Sequence, residues 1–81
     1  MRTQTTELIK TDPHIMYGKP CFAGTRIPVD LIIEKLSCGE TIGQILSGYQ
    51  TLREEHIFAA LDYATESIRS VIVLDSNEWN I

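Results

Sequence analysis

The chain has 81 residues, enough for one compact domain with a small core. Seven lysines and arginines stand against eleven aspartates and glutamates, so the net charge of −4 gives no long-range attraction to phosphates. No apolar run approaches the roughly 20 residues that cross a membrane, and the N-terminus lacks a leader pattern. We therefore expect a cytoplasmic domain that is stabilised by dimerisation or by a bound partner.

The cysteines and histidines predict no metal, no cofactor and no catalytic site. Cys21 and Cys38 lie 17 positions apart without CxxC spacing, so we expect two reduced, half-buried apolar residues. Together with His14 and His56 they have the composition of a Cys2His2 site. Structural zinc sites draw their ligands from close pairs, and these four are single residues in four elements. No third group is present to orient a Cys–His nucleophile pair, so we expect a protein that is not an enzyme.

The N-terminal third predicts a flexible end over residues 1–7 and an irregular β arm over residues 8–27. Two short strands are expected in the arm, Leu8–Lys10 and Pro20–Phe22. Turn-forming residues join them and bend the chain again before the first helix: Asp12, Pro13, Gly18 and Gly24. Prolines remove backbone donors, so we expect no helix within the arm.

The first helix is predicted over residues 28–38. Pro28 suits the first helical position, and Gly39 supplies the left-handed residue that ends the helix. The apolar residues follow the i, i+3, i+4, i+7 rule for one buried stripe: Val29, Ile32, Ile33 and Leu36.

The second helix is predicted over residues 42–48. Thr41 and Gln44 have the spacing of a capping box. Gly48 marks the end, and Tyr49 is expected to fold back as a hydrophobic contact. The residues of the buried face are Ile42, Ile45 and Leu46.

The third helix is predicted over residues 52–68. Thr51 and Glu54 repeat the capping-box spacing, and Leu52 is expected to join the core. The predicted buried stripe consists of Ile57, Ala60, Leu61, Ala64 and Ile68. A turn of three or four residues with a glycine separates the second and third helices, which is typical of a helix-turn-helix. The fold class is therefore mainly α, a three-helix bundle with a short N-terminal β arm.

The C-terminal tail, residues 69–81, lies outside this bundle. Its apolar run VIVL predicts either a strand or a segment that a partner orders. Trp79 is the only tryptophan, and two roles stay open for it: an anchor in a partner interface or a cover over the small core.

One longer series of motifs resembles a known family. It consists of Asp12-Pro13, GKPCFAGTRIPV from Gly18 to Val29, Gly39-Glu40-Thr41, and the stretch from Tyr49 to Tyr63 that contains EEHIFAALDY. The pattern resembles that of domain-of-unknown-function family 433 over residues 8–66. Phe22 stands where that family usually has an aliphatic residue.

The resemblance implies a homeodomain-like three-helix fold and an antitoxin that neutralises a PIN-like nuclease partner. Such nucleases carry clustered acidic metal ligands, and an arginine fork fits carboxylates well. We therefore expect Lys19 and Arg26 to contact the partner, together with Trp79. Arg26 could equally tie the arm to a carboxylate of the first helix.

The alternative function is a stand-alone helix-turn-helix regulator that binds operator DNA. The third helix would then enter the major groove, with Arg53, His56 and Arg69 as the DNA-binding residues. Acidic side chains on its exposed side would repel phosphates: Glu54, Glu55, Asp62 and Glu66.

Overall fold

The protein is described here by a computed structural model that covers the backbone of residues 7–74 and the side chains of residues 7–70. Between Ile9 and Leu74 the elements are, in order, β1 (Ile9–Lys10), a one-turn 3-10 helix (Met16–Gly18), β2 (Cys21–Phe22), α1 (Val29–Ser37), α2 (Ile42–Gly48) and α3 (Glu54–Leu74). The predicted fold class, a mainly α three-helix bundle with a short β arm, is confirmed. Residues 1–6 of the predicted flexible end (residues 1–7), and Trp79, lie outside the described residues.

The arm is a two-stranded antiparallel ribbon that is fastened to the start of α1. Ile9 pairs with Phe22 and Lys10 with Cys21, within one residue of the predicted strands. The Val29 N–H donates to the Pro20 carbonyl at 2.9 Å, so the ribbon and the first turn of α1 share a hydrogen bond. The one-turn helix between the prolines corrects the prediction that the arm contains no helix.

Helix α1 is bounded by a proline and a glycine. Pro28 is extended (φ −69°, ψ 145°) and is the N-cap rather than the first helical residue, so the helix begins one residue later than predicted. At the other end Gly39 has a φ of 94°, which a residue with a Cβ rarely adopts. Its N–H donates to the Leu36 carbonyl and the Glu40 N–H to the Lys35 carbonyl, the two hydrogen bonds of a Schellman motif.

Helix α2 has the predicted bounds and the predicted capping box. The Gln44 N–H donates to Thr41 Oγ1 at 3.1 Å, and the Thr41 N–H donates to Gln44 Oε1 at 2.8 Å. Tyr49, just past the helix, packs against the core as expected. The Lys35 ammonium lies 5.8 Å from the centre of the Tyr49 ring, a cation–π contact between α1 and the end of α2.

Helix α3 begins two residues later than predicted. Thr51 lies in the preceding turn, and the capping box predicted for it does not form. Instead the Arg53 N–H donates to His56 Nδ1 at 2.9 Å, so an imidazole takes the place of the expected carboxylate. The link from α2 is consequently longer than the predicted turn of three or four residues.

The far end of α3 reaches Leu74, beyond the predicted end at residue 68. The VIVL run is therefore helical rather than a strand. No helix within residues 7–74 is both long and apolar enough to span a bilayer.

The core lies where the arm meets the three helices. Each of these four parts contributes one large, fully buried side chain: Phe22, Ile32, Ile45 and Ile57. The sequence correctly predicted Leu52 in the core but wrongly placed Leu61 and Ile68 there, since both are exposed. Ala60 is buried as predicted, and Ala59 is buried beside it; their small side chains allow α3 to pack closely on that face.

Candidate partner-binding surface

A rigid turn between β2 and α1 presents Arg26 to solvent. Thr25 Oγ1 donates to the Phe22 carbonyl at 2.7 Å and accepts from the Ile27 N–H at 3.0 Å. Gly24 has a φ of 77° and allows the chain to reverse without strain. The turn is therefore tied to the backbone of the buried Phe22, and Arg26 extends from a hydrogen-bonded turn.

Arg26 and Lys19, the two cations predicted to contact a partner, have different surroundings. Lys19 Nζ lies 3.0 Å from Asp30 Oδ2, so Lys19 ties the arm to α1, the role that the sequence left open for Arg26. Arg26 is exposed and forms no ion pair with any other residue whose side chain is described. Its guanidinium is therefore available to carboxylates of another molecule.

The turn before β2 has an unusual backbone. The Asp12 side chain accepts from the His14 N–H at 2.8 Å and starts the turn. Met16, Tyr17 and Gly18 then have φ values of 51°, 58° and 82°, three left-handed residues in succession. This conformation is unfavourable for Met16 and Tyr17, which carry a Cβ. Strained backbone of this kind concentrates at functional sites.

Tyr17 is completely exposed at this turn, with a relative accessibility of 100%. It lines a shallow depression of about 380 Å³ together with Pro13, His14, Met16 and Arg26. Tyrosine and arginine are both enriched among the residues that contribute most to binding at protein–protein interfaces. We call His14, Tyr17, Lys19 and Arg26 the arm surface. Sequence reasoning missed Tyr17, because Gly18 was the only local sign of a left-handed turn.

The two cysteines are free thiols in contrasting places. Cys21 is buried beneath the arm, and burial raises the pKa of its thiol, with a smaller contribution from Asp30 and partial opposition from Lys19. The thiol therefore stays protonated and unreactive at neutral pH. Cys38 is exposed at the end of α1, which corrects the expectation that it is half-buried. Among the described residues, no three His, Cys, Asp or Glu side chains lie close enough to hold a metal ion.

The three residues predicted to bind DNA do not share one surface patch. Arg53 and Arg69 are about 24 Å apart along α3 at the usual helical rise. His56 is half-buried, and the edge of its ring contacts Phe22 with 5.5 Å between centroids. Arg69 pairs with Glu66 at 3.6 Å on the exposed helix. Among the three, only Arg53 combines exposure with a position at the start of α3.

The family model described as "Protein of unknown function (DUF433)" matches residues 9–64, well over half of the chain. The chain belongs to this family. The resemblance predicted from the motifs is thus confirmed, and the match contains the whole arm surface of this DUF433 protein.

Among solved structures, the crystal structure of a DUF433 member protein from Anabaena variabilis is similar to this one. The two chains share 23% identity with a TM-score of 0.74, over 85% of this chain and 68% of the other. At this identity the likeness shows the common fold alone. No curated protein sequence matches the chain.

Proposed function

We propose that this DUF433 protein is a non-enzymatic interaction protein, the antitoxin of a toxin–antitoxin pair, which holds a PIN-like nuclease inactive. The observation that carries the proposal is the free guanidinium of Arg26, held on a rigid turn beside the exposed ring of Tyr17. The family resemblance supplies the nature of the partner, and the arm surface supplies a means of binding it.

The proposed mechanism is competition for the carboxylates that hold the metal of the nuclease. A guanidinium is planar and donates two parallel hydrogen bonds to a carboxylate. Arg26 would pair with the acidic ligands of the partner and keep the metal ion from its site, so that no water is activated for hydrolysis. The hydrogen-bonded turn favours this arrangement, because little backbone entropy is lost when Arg26 binds, and the cost is confined to ordering its side chain.

Tyr17 is proposed as the second anchor of the complex. Its exposed ring would supply apolar contact area, and its hydroxyl can satisfy a polar group at the rim. The strained left-handed backbone at Met16 and Tyr17 would then serve to hold this ring in an exposed position.

The DNA-binding alternative has less support. A helix-turn-helix regulator needs several cations on the side of α3 that faces the phosphates. Here Arg53 is followed immediately by Glu54 and Glu55, both exposed, which would repel the DNA backbone. We therefore propose protein binding, and not operator binding, as the primary function.

The first test is Arg26→Ala. We expect the affinity for the PIN-like partner to fall by about thirtyfold or more, about 2 kcal/mol, as for an interface hot spot. Thermal stability should not change, because the side chain is exposed and unpaired. Calorimetric titration of the two purified proteins measures the affinity, and recovery of nuclease activity in the mixture measures the loss of inhibition.

The matched control is Arg53→Ala, which removes another exposed arginine from a different part of the molecule. It should bind and inhibit the nuclease as the unsubstituted protein does. Unchanged affinity and inhibition in Arg26→Ala would rule out the arm surface as the inhibitory site. An equal loss in both variants would show that overall charge, rather than Arg26, governs the interaction.

A further inference from the structure

One face of α3 carries large apolar side chains in solvent. Phe58, Leu61 and Ile68 are 51%, 42% and 58% exposed. With Thr65 they are spaced by three, four and three residues, which is the a/d pattern of a helix that packs against another helix. We call these four residues the α3 stripe.

The α3 stripe can be buried without leaving a polar group unsatisfied. Thr65 is its only polar member, and Thr65 Oγ1 donates to the Leu61 carbonyl at 2.9 Å within the same helix. The hydroxyl therefore needs no partner from outside, and an approaching helix would meet its methyl group.

The second half of α3 has little support from its own chain. Every side chain from Thr65 to Ser70 is exposed, yet the helix continues to Leu74. A helical extension of about ten residues is marginal in water, and most helical stability comes from packing an apolar face. This segment also lies beyond the part that matches the family model.

The charges beside the α3 stripe select a second copy of this chain in antiparallel orientation. Glu55 and Arg69 lie fourteen residues apart on the same flank of the stripe. In a parallel pair the two copies of this flank would lie on opposite sides of the interface, so Glu55 and Arg69 would not meet. In the antiparallel arrangement Glu55 of each copy approaches Arg69 of the other. The same register places Phe58 against Ile68 and Leu61 against Thr65. Asp62, midway along this flank, already interacts within its own chain.

We propose that the α3 stripe is the interface of a homodimer, in which two α3 helices pack antiparallel. The dimer is independent of the nuclease and of the arm surface, because the two surfaces share no residue. The dimer buries the exposed apolar face and stabilises the second half of each α3 helix.

The test is the oligomeric state of the full chain alone, measured by sedimentation equilibrium at micromolar to millimolar concentration. The unsubstituted protein should be a dimer, and Ile68→Glu should be a monomer that still unfolds cooperatively in urea, because Ile68 lies outside the core. Ser70→Glu is the matched control, since it adds the same charge to an exposed residue of α3 outside the stripe. It should remain a dimer. A monomeric unsubstituted protein, or a dimeric Ile68→Glu, would overturn the proposal.

Charge exchange tests the orientation. Glu55→Arg alone places two arginines together at each end of the interface and should weaken dimerisation by roughly three- to tenfold, in line with exposed ion pairs. The double variant Glu55→Arg, Arg69→Glu restores the complementary pairs and should recover the original affinity. A double variant as weak as the single one would contradict the antiparallel register.

Discussion

Phe22 is the residue on which the arm depends. Its side chain is fully buried, and the ring edge of His56 meets it with an interplanar angle of 82°. Its backbone also forms the base of the turn that carries Arg26, through the hydrogen bonds with Thr25. One aromatic side chain therefore joins the core, the start of α3 and the arm surface.

Removing this ring should destabilise the whole domain. Phe22→Ala leaves a cavity among the helices, and we expect it to lower the free energy of unfolding by about 3–5 kcal/mol. Phe22→Leu, which keeps most of the volume, should cost less than about 1.5 kcal/mol. Urea denaturation followed by circular dichroism compares the two. A similar, small loss in both would show that the ring does not hold the arm in place.

The two thiols should differ in reactivity and in pH dependence. Cys38 should react at once with a thiol reagent, and Cys21 only as fast as the protein unfolds. Because burial raises the pKa of Cys21, the folded thiol stays neutral at a pH where the unfolded thiol ionises. The contribution of Cys21 to the free energy of unfolding should therefore be constant at neutral pH and fall as the pH rises above the ordinary thiol pKa.

Cys21→Ala is the variant that isolates this effect. In Cys21→Ala the free energy of unfolding should fall less at high pH than in the unsubstituted protein. In Cys38→Ala it should fall as much as in the unsubstituted protein. The measurement is the denaturation midpoint across a pH series. Rapid modification of Cys21 in the folded protein would contradict its buried position.

At the scale of the elements, the helix ends depend on side-chain and backbone caps. The capping box at Thr41 satisfies two backbone groups at the start of α2, a helix of seven residues. Short helices of this kind rely on such caps and on tertiary contacts, because their own hydrogen bonds do not suffice.

Thr41→Ala should lower the free energy of unfolding by about 1 kcal/mol, the usual effect of losing an N-cap. Thr51→Ala is the matched control, since Thr51 has the same sequence spacing to Glu54 but makes no cap. It should change stability by less than about 0.5 kcal/mol. Chemical denaturation measures the free energy of unfolding of both variants. An equal decrease in the two would show that Thr51 does cap α3.

The same two threonines show how far sequence reasoning reaches. Local signals that act through the backbone, such as the caps of α2 and Gly39, were read correctly. The start of α3 was predicted wrongly, because Thr51 and Glu54 have the spacing of a capping box but do not form one. The hydrogen bond that His56 accepts from the Arg53 N–H could not be read from the spacing. The VIVL run favours a strand by composition, and only its continuity with α3 makes it helical.

Surfaces were harder to predict than elements. Periodicity placed Leu61 and Ile68 in one buried stripe with Ile57 and Ala60, but it did not show that only the last two of these four lie in the core. Likewise the sequence gives Lys19 and Arg26 the same expected role. Only the structure shows that Lys19 pairs with Asp30, whereas Arg26 forms no ion pair with a described side chain. Tyr17 gave no signal, since nothing in Met16-Tyr17 indicates a left-handed backbone.

At the scale of the whole molecule, the arm surface and the α3 stripe serve separate interactions. The dimer would thus carry two arm surfaces, and its complex with the nuclease should contain two copies of each protein. Light scattering on the purified complex measures this stoichiometry. With Ile68→Glu the complex should contain one copy of each protein, and the affinity for the nuclease should change little. With Arg26→Ala this protein should remain a dimer but bind the nuclease weakly.

The central claim is that this protein neutralises a nuclease by binding it. The most direct measurement is to co-express the chain with the product of the gene that neighbours its own, and to follow growth and co-purification. We expect that the neighbouring protein alone arrests growth, that this chain restores growth, and that the two proteins purify together. Growth arrest that this chain does not relieve, or the absence of a complex, would contradict the account.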